Sequence, residues 1–564
     1  MPKVNLKLSK WLWVIICLMT LTAGSSYLQT GLPQTHDGSN HLARFANYKI
    51  AFKEGQIPPR IAPNLMNRYT YPVFNYNYPL ANLLSLSFSA LKISYEITFK
   101  LLGLSFLFLG GVGVVKLIEV IYQLHNQKKP NQIKTNNWGF IFGLGIYYSA
   151  VYLFNLIVVR GNIGEIMAYG LWPWMLVSVL TPPKLNLKSI LLWTSWWLVH
   201  NIMAVFGWPI LVIVAFLKHG KNIKVLKDYL LLGIVSLLLS IWFWLPALAE
   251  LSLVSAGHSQ IVSDSPKHLL NISQVLAGTL EYGYSRVGQI DDLSFNLGLI
   301  QIIVLVLSMA LILSKLIKNQ KFEVSDLISL LLLLIVGALV VFQLQLTKIF
   351  WIVLKPLQLM QFPWRLSFFI LPLLSVLAVF VWQVINGKWL KMLLMLVLLI
   401  QFTQMIGFKP SAIMHQPNSY WDAFPESTTT NNENKPQEFE YLLIGDWQPS
   451  PYIVNGDGSS SVKFWSGSKH AYDLQLTTPA IIIEPVMLFA GWKTTVNGNE
   501  VAYFDSDEVQ GRLAYQLPAG EYQVESRFTQ RTWPRILGNS LSLLTAIGLL
   551  IYIRFKKIKN RNYG

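Results

Sequence analysis

Residues 31–60, GLPQTHDGSNHLARFANYKIAFKEGQIPPR, place His36, Asp37, His41 and Arg44 one step beyond an apolar run. A carboxylate so placed can take a proton from a hydroxyl, and an arginine can hold a phosphate through its planar fork of donors. Polar side chains stand at the ends of apolar runs elsewhere too: Arg160 and Glu165 in VVRGNIGEIMAYG, His200 and Asn201 in WWLVHNIMAVFG, and Arg365 in LKPLQLMQFPWR. Each has an ordinary explanation alone. Asp37 can cap a helix, Arg160 can pair with Glu165, His200 can bond a neighbouring helix, and Trp364-Arg365 can form an interfacial belt. Ionisable groups at membrane depth are costly, however, and usually face a cavity or a partner. Arrival of all of them at one level favours a shared site. A carboxylate, cationic groups and a greasy surround suit glycosyl transfer from a lipid phosphate. In that reaction positive charge gathers on the sugar ring, and fixed cations stabilise the departing phosphate. The chain has no Gly-rich phosphate loop, which argues against a nucleotide-sugar donor.

The elements that must position these residues are membrane helices. Of 564 residues, 53% are hydrophobic and 13% charged, against about 25% charged in soluble proteins. The net charge of +17 resides largely in basic clusters at 128–134, 184–188, 218–227, 315–321, 388–391 and 554–561, between apolar runs. That is the pattern of the positive-inside rule, not of a nucleic-acid groove. The single cysteine, Cys17, excludes a disulfide within the chain.

Lys3, Lys7 and Lys10 ahead of the run 11–29 keep the N-terminus in the cytoplasm. Ala23-Gly24-Ser25 resembles a cleavage site, but the basic clusters alternate consistently only if this run is an uncleaved anchor. Crossings are then expected near 98–124, 138–159, 163–180, 228–249, 294–316, 325–344, 366–385, 389–406 and 534–553. Segment 189–217 is expected to form two short helices meeting near His200 and Phe206, and 80–95 to be short, half-inserted or interfacial. The expected fold is a membrane all-α domain of about twelve crossings over 1–406, with its first outer loop at 31–79. An extracytoplasmic all-β sandwich over 407–533 follows, then a last span and basic tail over 534–564. The sandwich is indicated by short alternating runs, by Asn497-Gly498 between two of them and by a turn at Pro518-Ala-Gly520. The polar stretch 424–439, FPESTTTNNENKPQEF, reads as a flexible linker.

In the first loop, residues 38–54 can form a helix capped by Asp37 or Ser39 and lying along the membrane surface. Tyrosines follow in NRYTYPVFNYNYPL, and Tyr76 and Tyr78 are candidates to stack on a sugar ring.

HDGSNHLAR, GQIPPRIAPNL with YPVFNYNYPL, RGNIGE, VHN, QFPWR and GWKTTVNGNEV…GRLAYQLPAGEYQVESRF occur in an order that resembles the bacterial multi-pass membrane proteins labelled 6-pyruvoyl-tetrahydropterin synthase-related. More distantly the chain is similar to membrane glycosyltransferases of envelope polymers, with the GT-C fold. Nothing in the sequence suggests pterin chemistry. The resemblance implies a plasma-membrane enzyme working on the extracytoplasmic face. It would move a sugar from a polyprenyl-phosphate donor to a surface glycan, polymer or lipid. It further implies that Asp37 is the catalytic or acceptor-activating acidic residue of the first outer loop and Glu165 a second acidic residue. Arg365, with Arg160, would contact the lipid phosphate. His36, His41, Arg44, Arg60, His200 and Asn201 complete the candidate substrate-binding set with Tyr76 and Tyr78. His36 stands where such enzymes often carry another acid, so it either replaces a carboxylate ligand of a divalent cation, magnesium or manganese, or has no such role. Two other functions fit the same composition: a flippase for lipid-linked sugars and a non-catalytic membrane scaffold.

Overall fold

The computed structural model describes residues 10–125, 137–258, 264–278, 280–287, 291–440 and 447–562. Lys3, Lys7 and the basic cluster at 128–134 lie outside them. The chain divides into two compact units, one of residues 1–38, 99–232 and 260–415, the other of residues 39–98, 233–259 and 416–564.

Nine described helices are long and apolar enough to cross a membrane: Tyr95–Gln123, Ile163–Leu180, Asn201–His219, Ile223–Ala249, Leu299–Ile317, Val324–Val341, Pro363–Val384, Lys388–Gly407 and Trp533–Phe555. A tenth span is available if Asn137–Tyr148 and Val151–Arg160, bent by 51°, count as one. The twelve crossings expected from sequence also need Lys10–Ala23 and Leu187–Val199, of 14 and 13 residues. Each is only about 20 Å long, short of the roughly 30 Å hydrocarbon core. The chain does break at His200, whose Nδ1 accepts from Met203 N at 3.4 Å. The helix after the break is nevertheless of full span length, not short. Leu80–Ala90 forms an 11-residue helix.

In the first unit Ile163–Leu180 and Pro363–Val384 are buried on nearly every side and form its centre. Beside them, the bend after Tyr148 frees backbone carbonyls that apolar surroundings would leave unpaired. Two buried glutamines occupy them: Gln301 Nε2 donates to Ile146 O at 2.9 Å, and Gln401 Nε2 donates to Ser149 O at 2.5 Å and to Gln301 Oε1 at 2.9 Å. Val151–Arg160 ends in a π-helical stretch, Asn155–Arg160. Leu32–Pro33 (β1) pairs with Ile413–Met414 (β2), tying the segment before His36 to the end of Lys388–Gly407.

The second unit contains the described β-structure beyond β1 and β2. Its strands are Tyr452–Val454 (β3), Gly458–Trp465 (β4), Lys469–Leu476 (β5), Ala480–Met487 (β6), Trp492–Val496 (β7), Asn499–Glu500 (β8), Arg512–Leu517 (β9) and Gly520–Phe528 (β10). They form an antiparallel sheet in the order β4-β5-β10-β7-β8 and another in the order β3-β6-β9. Alternation of buried residues along β5, β7 and β10 turns one face of the larger sheet inward. There Tyr472 of β5 donates to Glu484 of β6 at 2.8 Å and meets Tyr515 of β9. Val496 pairs with Asn499 across Asn497 and Gly498, whose φ of 49° and 85° make the left-handed turn that this dipeptide favours. The chain at Pro518-Ala519 passes from β9 to β10, and so from one sheet to the other.

Two expectations are corrected here. The helix Gly38–Lys53 is buried around its whole circumference from His41 to Tyr48, so it is an interior helix of its unit. Its polar residues are satisfied inside: Asn47 Oδ1 accepts from Asn64 N at 2.8 Å, and Arg44 Nε donates to Thr428 Oγ1 at 3.0 Å. The polar stretch 424–439 is packed and not a linker. Phe424, Thr428, Asn434 and Phe439 are buried, and Tyr71 accepts from Asn434 N at 2.9 Å. Hydrogen bonding to Arg44 and Tyr71 compensates the polarity that suggested disorder.

Candidate functional site

Asn162 organises the site by linking two carboxylates. Its Oδ1 caps the helix Ile163–Leu180 by accepting from Glu165 N at 3.0 Å, while its Nδ2 donates to Asp37 Oδ2 at 3.2 Å. The backbone repeats the connection: Asp37 N donates to Arg160 O at 2.8 Å and His36 N to Val159 O at 2.9 Å. Gly161 makes the approach possible. Its φ is +62°, and a Cβ there would lie 2.0 Å from Thr35 Oγ1.

Behind Asp37, side chains from three separate segments converge on Glu165. Arg160 Nη2 lies 2.8 Å from Glu165 Oε2, Arg365 Nε 3.7 Å and His200 Nε2 4.0 Å from the same oxygen. Tyr152 donates to Oε1. Glu165 has no exposure, while Asp37 is half-buried. Their environments therefore divide the work. Glu165 is a fixed counter-ion for arginines in a low-dielectric setting, where an unpaired charge would be severely destabilising. Asp37 is the carboxylate that can meet a ligand.

The arginines are held from their other sides as well. Arg160 lies 5.1 Å from the ring centre of Trp364, and Arg365 lies 5.3 Å from that of Phe362. Phe295, Trp364 and Phe362 stack in sequence, at 5.1 and 5.2 Å. Arg365 Nη1 donates to Met360 O at 3.1 Å and Gln361 Oε1 at 2.9 Å. Even so, Arg160 Nη1 and Arg365 Nε have no hydrogen-bond partner among the described residues. Two guanidinium groups against one buried carboxylate leave an excess of positive charge, with buried donors available for an anion.

His36 sits over Tyr284 with ring centres 4.1 Å apart and planes 9° apart, and Tyr282 meets it edge-on at 5.9 Å. Burial pushes the His36 imidazole below its ordinary value; Asp37 opposes this and Arg160 adds to it. Among the described residues, no three His, Cys, Asp or Glu side chains gather into a group that could hold a metal ion, and Glu165 is engaged by Tyr152 and Arg160.

The structure thus gathers Asp37, Arg160, Glu165, His200 and Arg365, with Asn201 beginning the helix after His200. Tyr152 and Asn162 complete the group without having been singled out in the sequence, and Trp364, read there only as part of an interfacial belt, lies against Arg160. Only the Asx-type cap signal N-x-x-E pointed to Asn162. His36 lies beside them in the first unit, and the remaining candidates, His41, Arg44, Arg60, Tyr76 and Tyr78, belong to the second unit. Arg60 Nη2 donates to Trp242 O at 2.7 Å, and Tyr76 donates to Glu250 O at 2.7 Å. Glu250 itself pairs with Arg535 at 2.8 Å and accepts from Asn75 at 2.9 Å. Tyr78 hydroxyl lies 3.5 Å from His41 Nε2, and Arg44 holds Thr428. Tyr76 and Tyr78 are buried rather than presented as stacking faces.

No protein-family model and no curated protein matches the chain. Among solved structures, that of the arabinofuranosyltransferase AftD from Mycobacteria, obtained by single-particle cryo-EM, is similar over 71% of this chain at 14% identity and a TM-score of 0.44. The match spans 26% of that protein's length, about a quarter. A likeness of this extent leaves the function to be argued from the chain's own residues.

Proposed function

We propose that this protein is an integral-membrane glycosyltransferase that moves a sugar from a polyprenyl-phosphate carrier to a hydroxyl of an extracytoplasmic acceptor. One observation carries the proposal: a half-buried carboxylate, Asp37, interacts electrostatically with two buried arginines, and Arg160 Nη1 has no hydrogen-bond partner among the described residues. Asp37 takes the proton of the acceptor hydroxyl as its oxygen bonds to the anomeric carbon. The bond from that carbon to the carrier's phosphate oxygen breaks, and its electron pair leaves with the phosphate. Arg160 and Arg365 stabilise that charge where water is scarce. Glu165 keeps both guanidinium groups in place, and His200 packs against the same oxygen.

The test uses membranes containing the wild type or Asp37→Asn, supplied with a labelled polyprenyl-phosphate sugar and an envelope-glycan fraction. Loss of a catalytic base lowers transfer by about 10²–10⁴-fold. Transfer by Asp37→Asn at the wild-type rate removes Asp37 from the mechanism. Passage of the labelled lipid between leaflets, with no transfer, replaces this function with that of a flippase.

A further inference from the structure

The aromatic pair beside Asp37 has a construction that the charged cluster does not explain. Tyr284 is 64% exposed, yet the short segment carrying it is pinned on both sides. Before it, Tyr282 donates to Gln34 O. After it, Ser285 Oγ accepts from Trp364 Nε1 at 3.3 Å and lies 3.0 Å from His268 Nδ1. Arg286 N then donates to Asp291 Oδ1 at 2.7 Å. Gly283 lets this segment lie against its neighbour, because a Cβ there would fall 2.1 Å from Asp292 Cβ. His36 covers one face of the Tyr284 ring at 4.1 Å. An exposed ring held this firmly is organised for contact with something outside the fold, since apolar burial does not account for its position.

We infer that Tyr284, backed by His36, which Tyr282 meets edge-on, is a stacking platform for a sugar ring of the acceptor. The inference rests on the glycosyl-transfer function proposed above. A pyranose or furanose presents a face of C–H groups that suits the negative face of an aromatic ring. His36 is the residue immediately before Asp37, so a sugar laid on the adjoining platform brings its hydroxyls towards the base. Stacking tolerates different sugars and fixes mainly the plane of the ring. Choice among hydroxyls is left to polar groups.

The experiment takes the full chain in lipid nanodiscs as wild type, Tyr284→Ala and Tyr284→Trp. It measures binding of fluorescent gluco-, manno- and galacto-oligosaccharides, then transfer from the labelled lipid-linked sugar. At least one oligosaccharide is expected to bind the wild type. Tyr284→Ala weakens that binding about tenfold, as loss of one aromatic contact predicts, and Tyr284→Trp retains it. In transfer, Tyr284→Ala raises KM for the acceptor and leaves KM for the donor unchanged. Equal binding by all three proteins, or no binding by any, overturns the platform. A rise in donor KM in place of acceptor KM overturns its assignment to the acceptor. Binding that depends on Tyr284 in a protein that transfers nothing keeps the platform and removes the glycosyl-transfer function. Transfer with both KM values unchanged in Tyr284→Ala does the reverse.

Discussion

Asn162 holds Asp37 and starts the helix of Glu165 with the same amide group, donating to Asp37 Oδ2 at 3.2 Å and accepting from Glu165 N at 3.0 Å. The two halves of this role are separable. Asn162→Ala loses both and should lower stability by about 1 kcal/mol through the missing cap, as well as slowing transfer. Asn162→Asp keeps an acceptor for the cap but sets a second carboxylate against Asp37. Its thermal unfolding should stay near wild type while its transfer rate falls. Equal transfer rates in wild type and Asn162→Asp would detach Asn162 from the chemistry.

Glu165 and Arg160 form a buried pair, and breaking such a pair costs more than deleting it. Glu165→Ala should destabilise the protein by about 3–5 kcal/mol, the range for an uncompensated buried charge. Arg160→Met combined with Glu165→Leu should recover the part of that loss due to Arg160, with Arg365 still lacking its carboxylate, and remain inactive. Thermal unfolding in detergent and transfer in membranes check the two parts. If the double variant is no more stable than Glu165→Ala, Glu165 is not acting as the counter-ion of Arg160.

The His36 imidazole is held below its ordinary value by burial and Arg160, against the pull of Asp37. The unfolded chain therefore binds a proton more readily than the folded one over the interval between the two values. The sign follows: His36's contribution to stability is fully present above about pH 6.5, the unfolded value. It is lost as pH falls through the lower folded value. Histidine NMR on selectively labelled protein should place His36 below an exposed histidine. His36→Asn should flatten the acid limb of a stability-against-pH curve, and an unchanged limb would contradict the assignment.

Gln301 and Gln401 occupy carbonyls freed where the membrane helix bends after Tyr148. Gln401→Leu leaves Ser149 O without that donor and should cost about 1–3 kcal/mol, as for other unsatisfied buried groups. Because Gln401 also bonds Gln301 Oε1 at 2.9 Å, the Gln301→Leu and Gln401→Leu losses should not add. A double-mutant cycle by thermal unfolding measures the coupling. Transfer should fall in step with stability, since the bent helix delivers Arg160.

The secondary elements were legible to the extent that hydrocarbon and backbone sterics dictate them. Exclusion of charge from lipid marked the apolar runs and put Asp37, Arg160, His200 and Arg365 near their ends. The φ > 0 requirement of a tight hairpin marked Asn497-Gly498. Span length was less legible. The break near His200 follows from the sequence, but hydropathy does not say how long each helix runs, and Asn201–His219 after the break is a full-length span.

Tertiary structure alone decided which polar groups are committed to the fold and which remain available. Arg60, Tyr76 and Arg44 looked equivalent to Arg160 in sequence, but Trp242 O, Glu250 O and Thr428 receive them inside the second unit. Arg160 and Arg365, distant in sequence, converge instead on the buried oxygen of Glu165. A side chain's type fixes how many hydrogen bonds it can make. Distance and desolvation fix with whom, and those arise only when remote segments pack together.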